Sequence, residues 1–281
     1  MSAGALDVPI QMKVVPLRHP WTWAAGVVVV LVASGVAWSV ATNPAFQWPV
    51  VGQYLFDGQI LAGLRRTMEL TVAAMALGLV LGTALAVMRL SDNRLLSVLS
   101  WLYIWFFRSV PVLVQLIFWY NFGALYAHVT LALPWGPVLF SASTNDVITP
   151  LTAALAGLGL AQAAYTAEVI RAGILSVAPG QTRAAKALGM GPAMIFIRIV
   201  FPQAMRVIIP PVGNEVISMV KGTSLVSVIA MSDLLYTAQL IYARTYETIP
   251  LLIVASLWYL AIVSVLSVVQ HGLERHYGRG A

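Results

Sequence analysis

Six long apolar segments constrain this chain more than any other feature of its sequence. Each is about 20 residues long, the length of helix that crosses the hydrocarbon core of a bilayer. Lipid offers no water to backbone polar groups, so these segments are predicted to be helices and not loops or open strands. The sequence therefore predicts an all-α, polytopic membrane protein. The segments lie at about 21–41, 68–88, 101–126, 150–170, 204–224 and 249–270.

The composition supports a membrane environment and excludes several soluble classes. Hydrophobic residues make up 60% of the 281 positions and charged residues 9%, and the mean hydropathy is +0.86. A soluble domain normally carries about 25% charged residues. The net charge of +6 comes from basic residues in short loops, so nucleic-acid binding is not expected. The chain has no cysteine and no clustered histidine ligands, so no metal site is expected.

The distribution of Lys and Arg predicts the orientation of the chain. With the N-terminus in the cytoplasm, twelve of the sixteen Lys and Arg lie on the cytoplasmic side. The excess follows the positive-inside rule, which the reverse orientation would violate. The segment at 21–41 is too long for the apolar part of a signal peptide and is predicted to be a retained span. Both termini are therefore predicted to be cytoplasmic.

The longest cytoplasmic loop, at about 175–203, carries a helical pattern of its own. Thr182 is a predicted N-cap, the Ala and Leu residues after it favour helix, and Gly189 is a predicted C-terminal stop. Pro192 is predicted to begin a second short helix. A short helix with a small face and a basic face can dock into a partner's groove or anchor to anionic lipid. The residues alone leave these two alternatives open.

Glycine and proline positions predict how the spans pack and bend. Gly78 and Gly82 are four residues apart in an apolar helix, which predicts close packing against another helix. Pro111 is predicted to kink or break its span. Pro210-Pro211 free backbone carbonyls, which are tolerated at membrane depth where they line a cavity or the protein interior.

Polar residues inside spans are costly in lipid and are candidates for a substrate path. Asn214 and Glu215 follow the two prolines, and interrupted helices near the midplane commonly form transport sites. Lys221 is a candidate for a substrate carboxylate, with extension to the interface as the alternative. Glu168 is three residues from Arg171, which favours a local ion pair over a substrate contact. The full candidate set is Glu69, Arg108, Gln115, Glu168, Asn214, Glu215, Lys221, Thr223 and Ser224.

Structural alternatives accompany several of these candidates. Glu69 is close enough to its span end to reach interfacial water, and Arg108 is equally suited to anchor the chain at the cytoplasmic surface. Gln115 lies one turn after Pro111 and is expected to point away from lipid. A purely structural kink is the alternative to a transport site at the two prolines.

The cytoplasmic loop resembles the EAA loop of ABC-importer permeases. That pattern is Glu-Ala-Ala, three residues, Gly, nine residues, an apolar residue, Leu and Pro, and this chain has Arg183-Ala184-Ala185, Gly189, Ile199 and Pro202. Arg183 stands where the family has an acidic residue, so that residue's salt bridge is not carried over. Further segments resemble the polar amino-acid branch (histidine, glutamine and glutamate types) of the family, and they lie at 63–71, 107–116, 165–174, 202–204 and 221–225.

The resemblance implies a five-helix ABC type I importer permease core at 61–272, with the coupling loop at about 175–203. Residues 1–60 add a cytoplasmic N-terminus, one extra transmembrane helix and an outer linker, and 273–281 form a cytoplasmic tail. It places the protein in the inner membrane of a prokaryote. The residues expected to couple to the ATPase are Thr182, Arg183, Ala184, Ala185, Lys186, Leu188 and Gly189.

The resemblance also implies partners. A second permease subunit, the same chain or a paralogue, packs beside this one, a separate ABC ATPase docks on the EAA helix, and an extracytoplasmic binding protein delivers an amino acid. No Gly-x-x-x-x-Gly-Lys-Ser/Thr loop occurs, so ATP and Mg are expected on the ATPase. This chain is accordingly not expected to be an enzyme or to bind a cofactor.

Three alternative functions remain open. An ion-driven secondary transporter would need no ATPase, and its basic loop would be incidental. An intramembrane enzyme would need paired carboxylates, a metal set or a nucleophile with its base at membrane depth, and no such constellation stands out. An ABC permease for another zwitterion, such as an opine or a compatible solute, would share every motif.

Overall fold

The computed structural model describes residues 20–132 and 137–277. Within these residues, five helical runs are long and apolar enough to cross a membrane, and a bent pair of helices can form a sixth span. This confirms the predicted all-α, polytopic fold. Three of the twelve basic residues predicted to be cytoplasmic lie outside the described residues, namely Lys13, Arg18 and Arg279.

The chain divides into two units, the first of which ends at Gln47. Its main element is helix α1 (Pro20–Thr42), which is apolar around its whole circumference and has exposed side chains along its length. A helix that is apolar on all sides suits lipid or a helical partner. It corresponds to the additional N-terminal span predicted at 21–41.

The second unit begins at Trp48 and carries the remaining elements. In chain order they are α2 (Trp48–Leu55), α3 (Gly58–Arg89), α4 (Arg94–Ser109), α5 (Val112–Tyr120), β1 (His128–Ala132), β2 (Val138–Ser143), α6 (Thr144–Val147), α7 (Pro150–Leu175), α8 (Pro179–Ala187), α9 (Pro192–Ile195), α10 (Phe201–Gly222), α11 (Leu234–Thr245) and α12 (Thr248–Tyr277).

Helices α3 and α7 pack closely because two glycines leave room for side chains of α7. A Cβ atom on Gly82 would lie 2.8 Å from Cβ of Thr166 and 2.9 Å from the carbonyl oxygen of Ala163. A Cβ atom on Gly78 would lie 2.8 Å from Cβ of Gln162. The predicted packing face of Gly78 and Gly82 is confirmed, and its partner is the middle of α7.

The predicted span at 101–126 is broken into two helices. Helices α4 and α5 meet at an angle of 99°, so the predicted span at 101–126 is sharply bent, and the predicted break at Pro111 is confirmed. Proline has no N–H and disfavours helical geometry in the residue before it, and Val110 is extended. Gln115 is buried, and its Nε2 donates to the carbonyls of Phe107 (3.1 Å) and Val110 (2.9 Å), which the break leaves free.

The run from Pro192 to Ile229 is longer than the predicted span at 204–224 and changes its winding twice. A π-helical turn at Phe196–Val200 precedes α10, and a 3₁₀ segment at Thr223–Ile229 follows it. Such departures from α geometry often mark functional segments.

The connection between α5 and α7 contains the two strands. Strands β1 and β2 form an antiparallel hairpin that the all-helical prediction did not include. Short, exposed hairpin strands carry a much weaker sequence signal than 20-residue apolar segments. Its position in the chain places it just before α7, at the opposite end of that helix from α8.

Candidate translocation path and coupling loop

Helix α8 begins at Pro179, three residues before the predicted N-cap. Thr182 lies in its first turn, where its Oγ1 donates to the carbonyl of Pro179 at 2.8 Å. The prediction that Thr182 caps this helix was therefore wrong. Proline is suited to the first helical position because its φ is already helical and its missing N–H would have had no partner there.

The end of α8 confirms the predicted stop at Gly189. This residue has φ +77°, a conformation that strains residues with a Cβ. Its N–H donates to the carbonyl of Lys186 (3.0 Å), and the N–H of Met190 donates to the carbonyl of Ala185 (3.1 Å). These two bonds form a Schellman motif, which satisfies the last carbonyls of a helix.

The predicted coupling residues divide between two faces of α8. Ala185 is buried against Ile195 and Val200, so it holds the loop together and offers no surface to another chain. Leu188 is 82% exposed at the C-terminal end of the helix. Thr182 is partly buried, and the exposed remainder comprises Arg183, Ala184, Lys186 and Gly189.

The bond network around Glu215 joins α10 to α7. The side-chain oxygen Oε2 of Glu215 accepts from Nε2 of Gln162 at 2.6 Å and from Oγ1 of Thr166 at 3.2 Å. Both donors are neutral, and Gln162 also donates to Thr166 at 3.1 Å. Glu215 itself is only partly buried. We call these three residues the Glu215 cluster.

Two clefts border the Glu215 cluster. The apolar cleft, of about 280 Å³, is lined by Val112, Leu158, Met219 and Leu225 as well as by Gln162 and Glu215. The second cleft, of about 320 Å³, is lined by the charged Arg108 and Glu168 and by Pro211 as well as by Glu215. Tyr165 lines both clefts. Glu215 and Tyr165 therefore stand where the two clefts adjoin.

Charged residues lie beyond these clefts, toward the end of α7 that precedes α8. The guanidinium of Arg108 lies over the ring of Tyr165, 5.4 Å from its centroid, in a cation–π contact. Glu168 pairs with Arg171 at 2.9 Å, which confirms the predicted local ion pair. These side chains, with Arg89, line a third cleft of about 480 Å³.

Asn214 does not share the environment of Glu215, although the two are adjacent in the chain. Its Nδ2 donates to Oε1 of Glu274 on α12 at 3.3 Å. Gln270, also on α12, donates to the carbonyl of Pro210 at 2.8 Å. Successive helical residues point about 100° apart, so one side chain faces α12 while the next faces α7. The structure does not place Asn214 with Glu215 in one path.

The remaining path candidates lie apart from the Glu215 cluster. Glu69 is exposed and pairs with Arg65 at 2.8 Å and with Arg66 at 3.1 Å on its own helix. Thr223 is fully buried and donates to the carbonyl of Val220 at 2.7 Å. Ser224 donates to the carbonyl of Lys221 at 2.7 Å, and Lys221 is exposed.

Sequence reasoning missed Gln162, Thr166 and Tyr165. A signal was present, because Gln162 and Thr166 are polar, four residues apart and inside a predicted span. Their spacing equals that of Gly78 and Gly82, which pack against them. Nothing in one sequence shows that these two pairs face each other.

Another carboxylate, Asp233, is fully buried and lies between the last two spans. Its Oδ1 accepts from the N–H of Tyr236 at 2.8 Å and caps α11, and its Oδ2 accepts from the hydroxyl of Tyr259 at 3.2 Å. Burial raises the pKa of Asp233 to about 6, and the hydrogen bonds to the carboxylate oppose this shift. The neighbouring N–H of Leu234 donates to Thr67 of α3 at 3.0 Å.

A bundle of spans with a carboxylate between clefts is an arrangement that suits a membrane transport permease. The family described as binding-protein-dependent transport system inner membrane component matches residues 74–279. The chain belongs to this family, and within it to the amino-acid ABC permeases. Members of this family are multi-pass membrane subunits and are not themselves enzymes.

Individual relatives agree with this assignment. The arginine transport system permease protein ArgU of Corynebacterium glutamicum is 43% identical over 281 residues, which cover 100% of this chain and 87% of that protein. The nopaline transport system permease protein NocM of Agrobacterium fabrum is 38% identical over 209 residues, 74% of this chain and 83% of that protein. A crystal structure of an amino acid ABC transporter with histidines is 33% identical, with a TM-score of 0.66 over 78% of this chain and 94% of that chain.

Proposed function

We propose that this chain imports a cationic amino acid of the arginine type, as one of two permease subunits of an ABC importer. The observation that carries the proposal is Glu215. Among the described residues, ion pairs within 4.0 Å are formed by Glu69 and Glu168 but not by Glu215. A carboxylate inside a span is costly, and it is retained where it faces a cavity and serves a function.

The surroundings of Glu215 suit a guanidinium or ammonium group. One carboxylate oxygen is occupied by Gln162 and Thr166, which leaves the other toward the clefts. The ring of Tyr165 lines the same two clefts and already accepts the guanidinium of Arg108 on one face. Carboxylates and aromatic faces together bind planar cations well. The 43% identity to an arginine permease supports this cargo.

The proposed energy source is a separate ATPase that binds ATP and Mg and docks on α8. The exposed Leu188 provides an apolar contact, and Arg183 and Lys186 provide charge around it. This assignment places α8 and both termini in the cytoplasm. It also places the β1–β2 hairpin on the outer side, where an extracytoplasmic binding protein delivers the amino acid.

The proposed mechanism is alternating access. ATP closes the two ATPases and draws the α8 helices of the two permease subunits together, and the spans rock from inward-open to outward-open. The loaded binding protein then releases its amino acid into the clefts around Glu215. The π turn and the 3₁₀ segment that flank α10 supply places where this helix can change its winding.

Transport in reconstituted vesicles tests the cargo and the energy source. We expect ATP-dependent uptake of L-arginine by the complex with its ATPase and binding protein. Glu215→Gln should raise the KM for L-arginine about 10-fold, because a neutral amide loses the charge interaction. Uptake driven by an ion gradient without the ATPase would reject the ABC mechanism, and an unchanged KM would reject Glu215 as the substrate contact.

Co-purification tests the docking surface. Leu188→Asp should release the ATPase subunit from detergent-purified complexes without changing the melting temperature of the permease. Leu139→Asp in the hairpin is the matched control, because Leu139 is also well exposed (60%) and lies at the other end of α7. Equal retention of the ATPase by both variants would contradict docking on α8.

An opine is the second candidate cargo, since the chain is also 38% identical to a nopaline permease. Competition of L-arginine uptake by nopaline distinguishes the two. Full competition at equal concentration favours the opine, and absent competition favours arginine.

A further inference from the structure

The two oxygens of the Glu215 carboxylate have unequal surroundings. Gln162 and Thr166 both donate to Oε2, at 2.6 and 3.2 Å, and no described residue donates to Oε1. The amide of Gln162 and the hydroxyl of Thr166 also bond to each other at 3.1 Å. The hydrogen bonds to Oε2 restrict rotation of the whole carboxylate. An exposed glutamate without such bonds would rotate freely.

Gln162 and Thr166 are themselves held in place. They are 7% and 1% exposed on α7. Gly78 and Gly82 of α3 lie so close that an added Cβ would come within 2.8 Å of Cβ of Gln162 and of Thr166, respectively. Close packing of this kind leaves a side chain few alternative rotamers. The α3–α7 contact therefore fixes the donors before any solute arrives.

We propose that Gln162 and Thr166 are positioning residues, which hold Glu215 so that its second oxygen faces the clefts and receives the cationic group of the amino acid. This inference rests on the proposed function, because it assumes that Glu215 contacts the substrate. Gln162 and Thr166 act through Glu215. Their contribution is preorganisation: a carboxylate that is already oriented loses less rotational freedom when the cation binds.

The hydroxyl of Thr166 allows a matched pair of variants. Thr166→Val keeps the shape and removes the donor, whereas Thr166→Ser keeps the donor. Gln162→Met keeps the length of the side chain and removes its N–H groups. Gly78→Ala is an indirect variant, since Gly78 lines neither cleft and its added Cβ would displace Gln162.

The experiment is equilibrium binding of radiolabelled L-arginine to the purified complex of permease and ATPase, with L-citrulline as the neutral competitor of equal size. We expect Gln162→Met and Thr166→Val to weaken L-arginine binding about 10-fold and to leave the weak binding of L-citrulline unchanged. Thr166→Ser should bind like the unaltered protein, and Gly78→Ala should behave like Gln162→Met. A purely structural role would weaken both ligands equally.

Glu215→Gln, measured in parallel, separates the proposed substrate contact of Glu215 from the proposed positioning role of Gln162 and Thr166. If it weakens L-arginine binding while Gln162→Met and Thr166→Val do not, the positioning role is overturned and the proposed function stands. If Glu215→Gln has no effect, the substrate site is wrong and the positioning role falls with it. Should Gln162→Met fail to fold, the Thr166→Val and Thr166→Ser pair decides the question.

Discussion

Glu215 and Asp233 are both carboxylates within the second unit, and both accept hydrogen bonds from uncharged donors. They differ in whether an oxygen remains without a donor. Asp233 is 1% exposed and has a donor on each oxygen, the N–H of Tyr236 and the hydroxyl of Tyr259. Glu215 takes both of its donors on one oxygen and borders two clefts.

The two carboxylates differ in the distribution of their hydrogen bonds and not in their number, and this distribution separates a structural carboxylate from the one proposed to bind the substrate. Asp233 has no free acceptor that a solute can reach, and its bonds join α11 to its own cap and to α12. Glu215 also accepts two hydrogen bonds, but it lines two clefts and only one of its oxygens has a donor. Buried polar groups that are fully satisfied stiffen a fold, whereas Glu215 keeps one oxygen to which no described residue donates.

The largest expected effect comes from removing each carboxylate in turn. Asp233→Ala leaves the Tyr259 hydroxyl and the Tyr236 N–H without their partner, and each unsatisfied buried group costs about 1–3 kcal/mol. We expect the melting temperature in detergent to fall by roughly 5–10 °C. Glu215→Ala should lower it less, because Gln162 can still donate to Thr166, and it should abolish L-arginine binding. Equal melting temperatures for the two variants would remove the distinction between them.

A smaller effect on stability is expected when glycine is replaced by alanine in α3, and the same replacement in α8 serves as the control. Gly82→Ala places a Cβ 2.8 Å from Cβ of Thr166, and overpacking of this kind costs about 1–3 kcal/mol. Gly180→Ala in α8 is the control, because no atom lies within 4 Å of its added Cβ. Alanine favours helix over glycine by about 1 kcal/mol, so this variant should be unchanged or slightly more stable. Thermal unfolding of both variants measures the difference, and destabilisation by Gly180→Ala alone would contradict the packing described for α3 and α7.

The smallest expected effect is a pH dependence that belongs to Asp233. Its pKa in the folded protein is about 6, above the ordinary 3.8, so the folded state binds this proton more tightly than the unfolded state. Acid therefore stabilises this site: the gain begins as pH falls through about 6 and is complete below about 3.8. Between pH 8 and pH 5 it amounts to about 1 kcal/mol.

Asp233→Asn provides the reference for this measurement, because an amide keeps the shape and cannot titrate. We expect the stability difference between Asp233→Asn and the unaltered protein to change by the stated amount across that pH range. A difference that is constant with pH would show that Asp233 titrates normally and is not enclosed as the structure has it.

Several local features were predictable because their causes lie within a few residues. The break at Pro111 follows from a missing N–H, the stop at Gly189 from a left-handed φ, and the ion pair of Glu168 with Arg171 from helical spacing. The start of α8 was misplaced because Thr182 and Pro179 are both good helix starts, and only the backbone path shows which one is used.

What the sequence by itself determined is the class of structure: apolar segments long enough to cross a bilayer must be helices there, since only a helix satisfies every backbone group within its own segment. Tertiary structure alone decided which polar side chains meet. Gln162 and Glu215 are 53 residues apart, and Asn214 turns to α12 while its neighbour turns to α7. Helical periodicity states which residues share a face, but the choice of partner for that face depends on how the helices pack.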